Sequence, residues 1–196
     1  MSFFTGTAKL SNTSPIPAAE GAGDRITREA AVALLHDHGF FLRTEPHYVS
    51  HRALPPQQPS DNVSAATARG AYALPAGLEP LGSPAVKLYE VVDHVPNPVW
   101  SSSVVSTEEF VDCADGLWVR IRSPLAVVME TRWTVREREG GEEGEGALEL
   151  AEDVEISCSK LLLGIVKTQV ESNWRGIHAN IIKRLLEDAR KGKGAE

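Results

Sequence analysis

Residues 160–189 read KLLLGIVKTQVESNWRGIHANIIKRLLEDA. Apolar side chains recur in this stretch at spacings of three and four, whereas the opposite side carries charged residues, so it predicts one long amphipathic helix. The apolar stripe of this helix consists of Leu163, Val166, Val170, Trp174, Ile177, Ile181 and Leu185. The stripe must cover another apolar surface, and the only one that the rest of the sequence predicts is a β-sheet.

The sheet is predicted by five segments, residues 86–95, 104–112, 117–122, 127–136 and 148–158. They are rich in β-branched residues or alternate apolar and polar side chains. In the fourth segment one face carries Val127, Met129, Thr131, Trp133 and Val135. The turn Ala-Asp-Gly at residues 114–116 is a strong hairpin signal. A period of two with a polar outer face is typical of an antiparallel sheet that has one solvent-exposed side.

The N-terminal part of the sequence predicts one more strand and one more helix. The strand covers residues 3–10, and the helix covers residues 27–38. Asp24 or Thr27 can cap the N-terminus of this helix, and Gly39 is expected to end it.

Two segments interrupt the pattern. Residues 54–85 hold six prolines and three glycines, which predicts an irregular loop that is a lid, a binding loop or a disordered insertion. Residues 138–146, REGGEEGEG, combine glycine with like charges and predict a solvated hairpin tip. We predict a single domain over residues 1–196 with these two elaborations.

Composition and charge exclude several classes of function. The chain has 196 residues and a formal net charge of −7, and it lacks the clustered Lys and Arg that nucleic-acid binding needs. Its two cysteines, Cys113 and Cys158, cannot form a disulfide framework or a four-ligand zinc site. We expect no transmembrane segment, because no apolar run is long enough. The N-terminus MSFFTGTAKL lacks the features of a secretory signal, so we expect a cytoplasmic protein.

The order of these elements resembles the START-like helix-grip superfamily of polyketide cyclase/dehydratase and lipid-transfer proteins. Several stretches are similar to an uncharacterised fungal domain family within it: YEVVDHV (89–95), ADGLWV (114–119), TRWTV (131–135) and LAEDVEI (150–156). The resemblance covers about residues 26–189. It implies an α+β fold in which a curved antiparallel sheet grips one long C-terminal helix. It also implies a cavity between sheet and helix that usually holds an apolar molecule.

Catalytic signatures are scarce. The sequence holds no Walker motif, G-x-G-x-x-G, H-E-x-x-H or G-x-S-x-G. The best lone acid–base candidate is His94, because a neutral histidine exchanges a proton near pH 7. The alternative is an ordinary surface histidine at a strand end. Glu109 and Glu130 lie within strands, and the alternation places Glu130 on the outer face.

No metal or cofactor is expected. The pairs His36/His38 and His47/His51 have spacings that can place both rings on one side of an element. A metal site needs at least a third convergent ligand, which the sequence does not identify.

The inward strand face and the helix stripe supply the candidate ligand-binding residues. They are Tyr89, Met129, Thr131, Trp133, Val170, Trp174 and Ile177. The alternative for each is plain core packing, although a sheet that grips one helix cannot always fill its own concavity.

Two classes of function remain open. The first is a cofactor-free cyclase, isomerase or pericyclase of secondary metabolism, because orientation alone can accelerate such a reaction. The second is a non-catalytic carrier of a lipid or small molecule. A polar pair inside the cavity would favour the enzyme, and a wholly apolar lining would favour the carrier. The identity of the ligand and the oligomeric state stay open.

Overall fold

The computed structural model describes residues 4–18, 26–55, 74–95, 102–138 and 147–191 of the chain. Seven strands and three helices are defined there. In chain order they are β1 (Thr5–Ile16), α1 (Arg28–Leu35), α2 (His38–Leu42), β2 (Tyr48–Leu54), β3 (Lys87–Val95), β4 (Ser102–Cys113), β5 (Gly116–Ser123), β6 (Val127–Glu137), β7 (Leu148–Ser159) and α3 (Lys160–Lys191).

All seven strands form one curved sheet in the order β1-β7-β6-β5-β4-β3-β2. Every neighbouring pair is antiparallel. Strands β2 to β7 are sequential neighbours, and β1 extends the sheet by pairing with β7 along its whole length. The helix α3 starts directly after β7 and packs on the inner face. The predicted α+β fold with an antiparallel sheet and one long C-terminal helix is therefore confirmed.

The two halves of α3 pack differently. Its fully buried residues, Ile177, His178, Ile181 and Leu185, all lie in the C-terminal half. In the N-terminal half, Val166 and Val170 are only partly buried, although they belong to the same stripe. The C-terminal half is therefore anchored in the main core, while the N-terminal half packs on a smaller cluster of β7, formed by Val154, Ile156 and Cys158.

The N-terminal helical region differs from the prediction. The Thr27 side chain accepts a hydrogen bond from the Ala30 amide at 3.1 Å, which confirms Thr27 as the N-cap of α1. The expectation that one helix continues to Gly39 is wrong, because α1 ends at Leu35. The Asp37 side chain then accepts from the Phe40 amide at 2.9 Å and caps a second helix that contains Gly39. A new N-cap has the effect of turning the chain and restarting the helix.

The hairpin between β4 and β5 is confirmed. Cys113 at the end of β4 pairs with Gly116 at the start of β5, and the φ of Gly116 is +156°. A Cβ atom at residue 116 would lie 1.9 Å from the Trp133 carbonyl oxygen on β6. Glycine is therefore required here by close approach of the neighbouring strand.

The outer face of the sheet is partly covered, which corrects the expectation of a solvent-exposed side. Leu74, Leu78 and Val86 pack on Val111, Cys113 and Trp118. This part of the 54–85 segment therefore lies on the face opposite α3, whereas residues 56–73 lie outside the described part of the chain. Residues 139–146 of the predicted hairpin tip also lie outside it.

Charged side chains on the outer face are paired. Glu109, which is 1% exposed, accepts hydrogen bonds from Arg120 at 3.0 Å and from Arg122 at 2.8 Å. Arg120 also donates to Glu130 at 2.9 Å. Breaking a buried pair leaves an uncompensated charge, so this network fixes the arrangement of three neighbouring strands. Among the described helices, none combines the length and apolar character that crossing a membrane requires.

Candidate functional site

A cavity of about 380 Å³ lies between the inner face of the sheet and the N-terminal half of α3. Phe41 and Leu42 of α2 close one side, and Leu125 in the β5–β6 turn lies at another. The volume falls within the range of small-molecule sites, about 300–1,000 Å³. The first half of α3 packs on β7 through Val166 and Val170 and borders the cavity, while the second half is anchored in the main core.

The structure brings together six of the seven residues predicted to bind a ligand. Those that line the cavity are Met129, Thr131, Trp133, Val170, Trp174 and Ile177. Trp133 is fixed there by its indole N–H, which donates to the Thr131 hydroxyl at 3.1 Å, and by perpendicular packing on Phe41 at 5.2 Å. Ligand binding by these residues stays a prediction.

Tyr89 lies outside the lining of the cavity. Nε2 of His38 donates to Asp112 Oδ1 at 2.7 Å, which leaves Nδ1 to accept from the Tyr89 hydroxyl at 3.0 Å. Lys87 donates to the other Asp112 oxygen at 2.8 Å. Burial lowers the pKa of His38 and raises the pKa of Tyr89. This network ties α2 to β3 and β4, and so positions Phe41 and Leu42 at the cavity.

His94 also lies outside the lining. Its side chain is exposed, and its backbone amide donates to the His47 carbonyl oxygen at 2.8 Å. Its neighbour Asp93 does line the cavity. Successive side chains on a strand point to opposite faces, so only one of these two neighbours can face inward. Acid–base work by His94 stays a prediction.

Four carboxyl groups line the largely apolar cavity. They belong to Glu45 in the α2–β2 connection, Asp93 on β3, Glu108 on β4 and Glu152 on β7. The strand register places Glu108 opposite Tyr89 and Glu152 opposite Trp133. The curvature of the sheet and the α2–β2 connection therefore turn carboxyl groups from distant parts of the sequence into one space.

Glu108 is buried, with 5% of its surface exposed. Burial, helped by the carboxyl groups of Asp93 and Glu45, raises its pKa to about 8. The Ser106 hydroxyl donates to Glu108 Oε1 at 3.2 Å and opposes this shift. Glu108 is therefore mostly protonated at neutral pH and can donate a hydrogen bond.

Glu45 and Asp93 share this behaviour. Burial raises the pKa of Glu45 to about 7, helped by the charges of Asp93 and Glu152. Burial also raises the pKa of Asp93, which His47 opposes. The Oδ1 atom of Asp93 is buried without a hydrogen-bond partner in the described part of the chain. These acids therefore have capacity for hydrogen bonds that the protein leaves unused.

Glu152 forms a separate pair with His178 at the Trp133 side of the cavity. The Asn12 side chain donates to Glu152 Oε2 at 3.0 Å, and His178 Nε2 lies 3.7 Å from the same oxygen. Nδ1 of His178 is hydrogen-bonded to the Ser14 hydroxyl at 2.9 Å. Within the described residues Nε2 has no hydrogen-bond partner.

The sequence contained an unused signal for three of the four acids. Asp93 lies two residues from buried Val91 on β3, and Glu108 lies two residues from buried Phe110 on β4. Glu152 lies midway between Leu150 and Val154, which are both buried. Following the alternation strictly would have placed all three on the inner face. Glu45 carried no such signal, because it lies in a connection whose path is set by tertiary contacts.

The residues described in the structure include no group of three His, Cys, Asp or Glu side chains that could hold a metal ion.

Together, these features define an α+β protein with an antiparallel sheet, a long C-terminal helix and an apolar, carboxyl-lined cavity between them. The chain belongs to the family described as "Domain of unknown function (DUF7053)", which matches residues 5–187. No curated protein matches the sequence.

Proposed function

We propose that this protein binds a small hydrophobic molecule in the cavity between sheet and α3, and acts on it as a cofactor-free cyclase, isomerase or pericyclase. The observation that carries the proposal is an apolar cavity into which buried carboxyl groups point. The element order supports placing the fold in the START-like helix-grip superfamily. Fungal origin, a role in secondary metabolism and a cytoplasmic location belong to the same proposal.

The proposed chemistry needs only shape and a proton donor. Apolar walls that include Phe41, Trp133 and Trp174 hold a flexible substrate in a folded conformation, and orientation of this kind lowers a reaction barrier. A carboxylic acid with a pKa near the working pH is an effective general acid. Glu108, with a pKa of about 8, fits that role. It would donate its proton to a carbonyl oxygen or an alkene carbon of the bound molecule.

The alternative is a carrier that binds the same molecule without reaction. Leu125 favours this alternative, because it lines the cavity and is nevertheless 75% exposed. An exposed apolar residue at a cavity edge suits transfer of an apolar ligand. The buried acids favour the enzyme, since a carrier of a purely apolar molecule gains nothing from them.

Trp174 provides the test of ligand binding. It lines the cavity and is only half-buried. An apolar ligand is expected to quench or shift tryptophan emission when sterols, fatty acids and polyketide-like compounds are titrated. We expect Trp174→Ala to weaken binding about 5- to 30-fold, which corresponds to about 1–2 kcal/mol of lost contact. The affinity of this variant is measured by calorimetry, since one of the reporting indoles is gone.

Leu161→Ala is the matched control for this variant. Leu161 lies on the same helix and is 91% exposed, so its truncation should change neither affinity nor melting temperature. If no compound of the panel binds, and Trp174→Ala mainly destabilises the fold, the cavity is not a ligand site. The protein would then be a packed interaction domain.

A further inference from the structure

Acidic groups predominate among the titratable residues of the cavity lining. The titratable groups that face it are Glu45 and His47 from the α2–β2 connection, Asp93 from β3, Glu108 from β4 and Glu152 from β7. Among the described residues that line the cavity, none is a lysine or an arginine. On α3, His178 lies 3.7 Å from Glu152, and the Arg175 guanidinium lies 4.5 Å from the centroid of the Trp174 ring.

Several carboxyl oxygens in this lining have no hydrogen-bond partner among the described residues. Asp93 Oδ1 is buried and has no hydrogen-bond partner among the described residues. Glu108 is 5% exposed and therefore 95% buried. Only its Oε1 atom has a described partner, which is the Ser106 hydroxyl at 3.2 Å. No described hydrogen bond reaches the Glu45 carboxyl group. Buried polar atoms are normally satisfied, so the missing donors point to a molecule that supplies them.

Three of the acids are close enough to influence one another. The charges of Asp93 and Glu45 act on Glu108, and the charge of Asp93 acts on Glu45. Like charges held together in an apolar space repel each other, and a cation between them removes the repulsion. An ammonium group offers three donors and one positive charge.

We propose that the ligand of this cavity is a hydrophobic amine, whose ammonium group binds among the carboxyl groups of Glu45, Asp93 and Glu108. The inference rests on the proposed function and names its ligand class. The apolar body of the molecule lies against Met129, Val170 and Trp174, and its nitrogen points towards β3 and β4. Binding converts carboxylic acids into carboxylates, so protons are released to the solvent.

The test uses three probes with one carbon skeleton: 4-phenylbutylamine, 4-phenylbutanol and 4-phenylbutyrate. Their affinities are measured by calorimetry at pH 6, 7 and 8.5 in 0.15 M salt, where nonspecific attraction to the acidic surface is screened. We expect the amine to bind at least about 10-fold more tightly than the alcohol at pH 8.5, and the carboxylate to bind most weakly. The affinity for the amine should rise with pH, because Glu45 and Glu108, with pKa values of about 7 and about 8, ionise across this range.

Two variants show where the amine binds. Glu108→Gln and Asp93→Asn each remove one charge and keep the size of the side chain. We expect each variant to bind the amine about 10-fold more weakly, whereas its affinity for the alcohol should change less than about twofold. Because both variants remove a buried charge, both are expected to fold, which thermal melting checks. Glu171→Gln on the exposed side of α3 is the matched control and should change neither affinity.

The outcomes separate this inference from the proposed function. If the alcohol binds as tightly as the amine, or the two variants leave the preference for the amine intact, the amine inference is overturned and a cavity for apolar molecules remains. If none of the three probes binds and the apolar panel also fails, both are overturned.

Discussion

Replacing Glu108 by glutamine should stabilise the protein at alkaline pH by about 2–4 kcal/mol. The pKa of Glu108 is about 8 in the folded chain, against a usual value of 4.5. The difference, 8 − 4.5, is 3.5 units, and at 1.36 kcal/mol per unit it sets a ceiling of about 5 kcal/mol. Water that enters the cavity reduces the penalty below this ceiling. Glutamine has the same shape and carries no charge, so it avoids the cost.

The sign of the pH dependence follows from the proton affinity of the two states. A raised pKa means that the folded chain holds the Glu108 proton more tightly than the unfolded chain. Below pH 4.5 neither state is ionised and the group has no effect. Between pH 4.5 and 8 the unfolded chain alone ionises, so the stability of the protein falls as pH rises. Above pH 8 both states are ionised and the full penalty remains.

Chemical unfolding at pH 5, 7 and 9 measures this effect. The free energy of unfolding of Glu108→Gln should match that of the parent protein near pH 5 and exceed it increasingly at pH 7 and 9. Glu171→Gln, whose side chain is 49% exposed, should follow the parent at every pH. Equal stability of Glu108→Gln and the parent at pH 9 would mean that the Glu108 carboxylate reaches water freely.

The main lines of the fold were predictable because periodicity is a long-range signal. The stripe from Leu163 to Leu185 repeats over six turns, and no other structure satisfies that spacing. Gly39 shows where local signals fail. It resembles a helix terminator in sequence, but Asp37 two residues earlier restarts the helix. The burial of Trp118 was also unpredictable, because the segment that covers it comes from residues 74–86 and carries no regular pattern.

The candidate site was predictable in its apolar half and not in its polar half. Trp133 and Trp174 follow from the inward strand face and the helix stripe. Asp93, Glu108 and Glu152 lie at alternate positions that face inward. Their charge nevertheless suggests a solvent-exposed position, because charged residues are rarely buried. Their placement costs stability, and the rule that charged residues lie outside fails most often at functional sites. Glu45 depends on the path of the α2–β2 connection, which only the folded chain defines.

Trp133→Ala should cost about 3–5 kcal/mol of stability, the usual range for removing a large aromatic side chain from a packed position. Trp133 is 3% exposed, and its ring packs on Phe41 and on His178, each at 5.2 Å between ring centroids. Its indole N–H also bonds to Thr131 at 3.1 Å. Truncation would leave an empty volume in the main core, to which Val135 and Leu150 also belong.

Trp174→Ala is the variant with which Trp133→Ala is compared. Trp174 lies across the cavity and is only half-buried, and its ring centroid is 5.2 Å from that of His178. Its loss should therefore cost about 1–2 kcal/mol of stability, well below the cost at Trp133. Thermal melting and urea unfolding of both variants measure the difference. Similar losses from the two variants would mean that Trp174 is packed as firmly as Trp133. A large loss from Trp133→Ala alone is expected if the sheet side of the cavity is a rigid wall and the α3 side is the part that yields to a ligand.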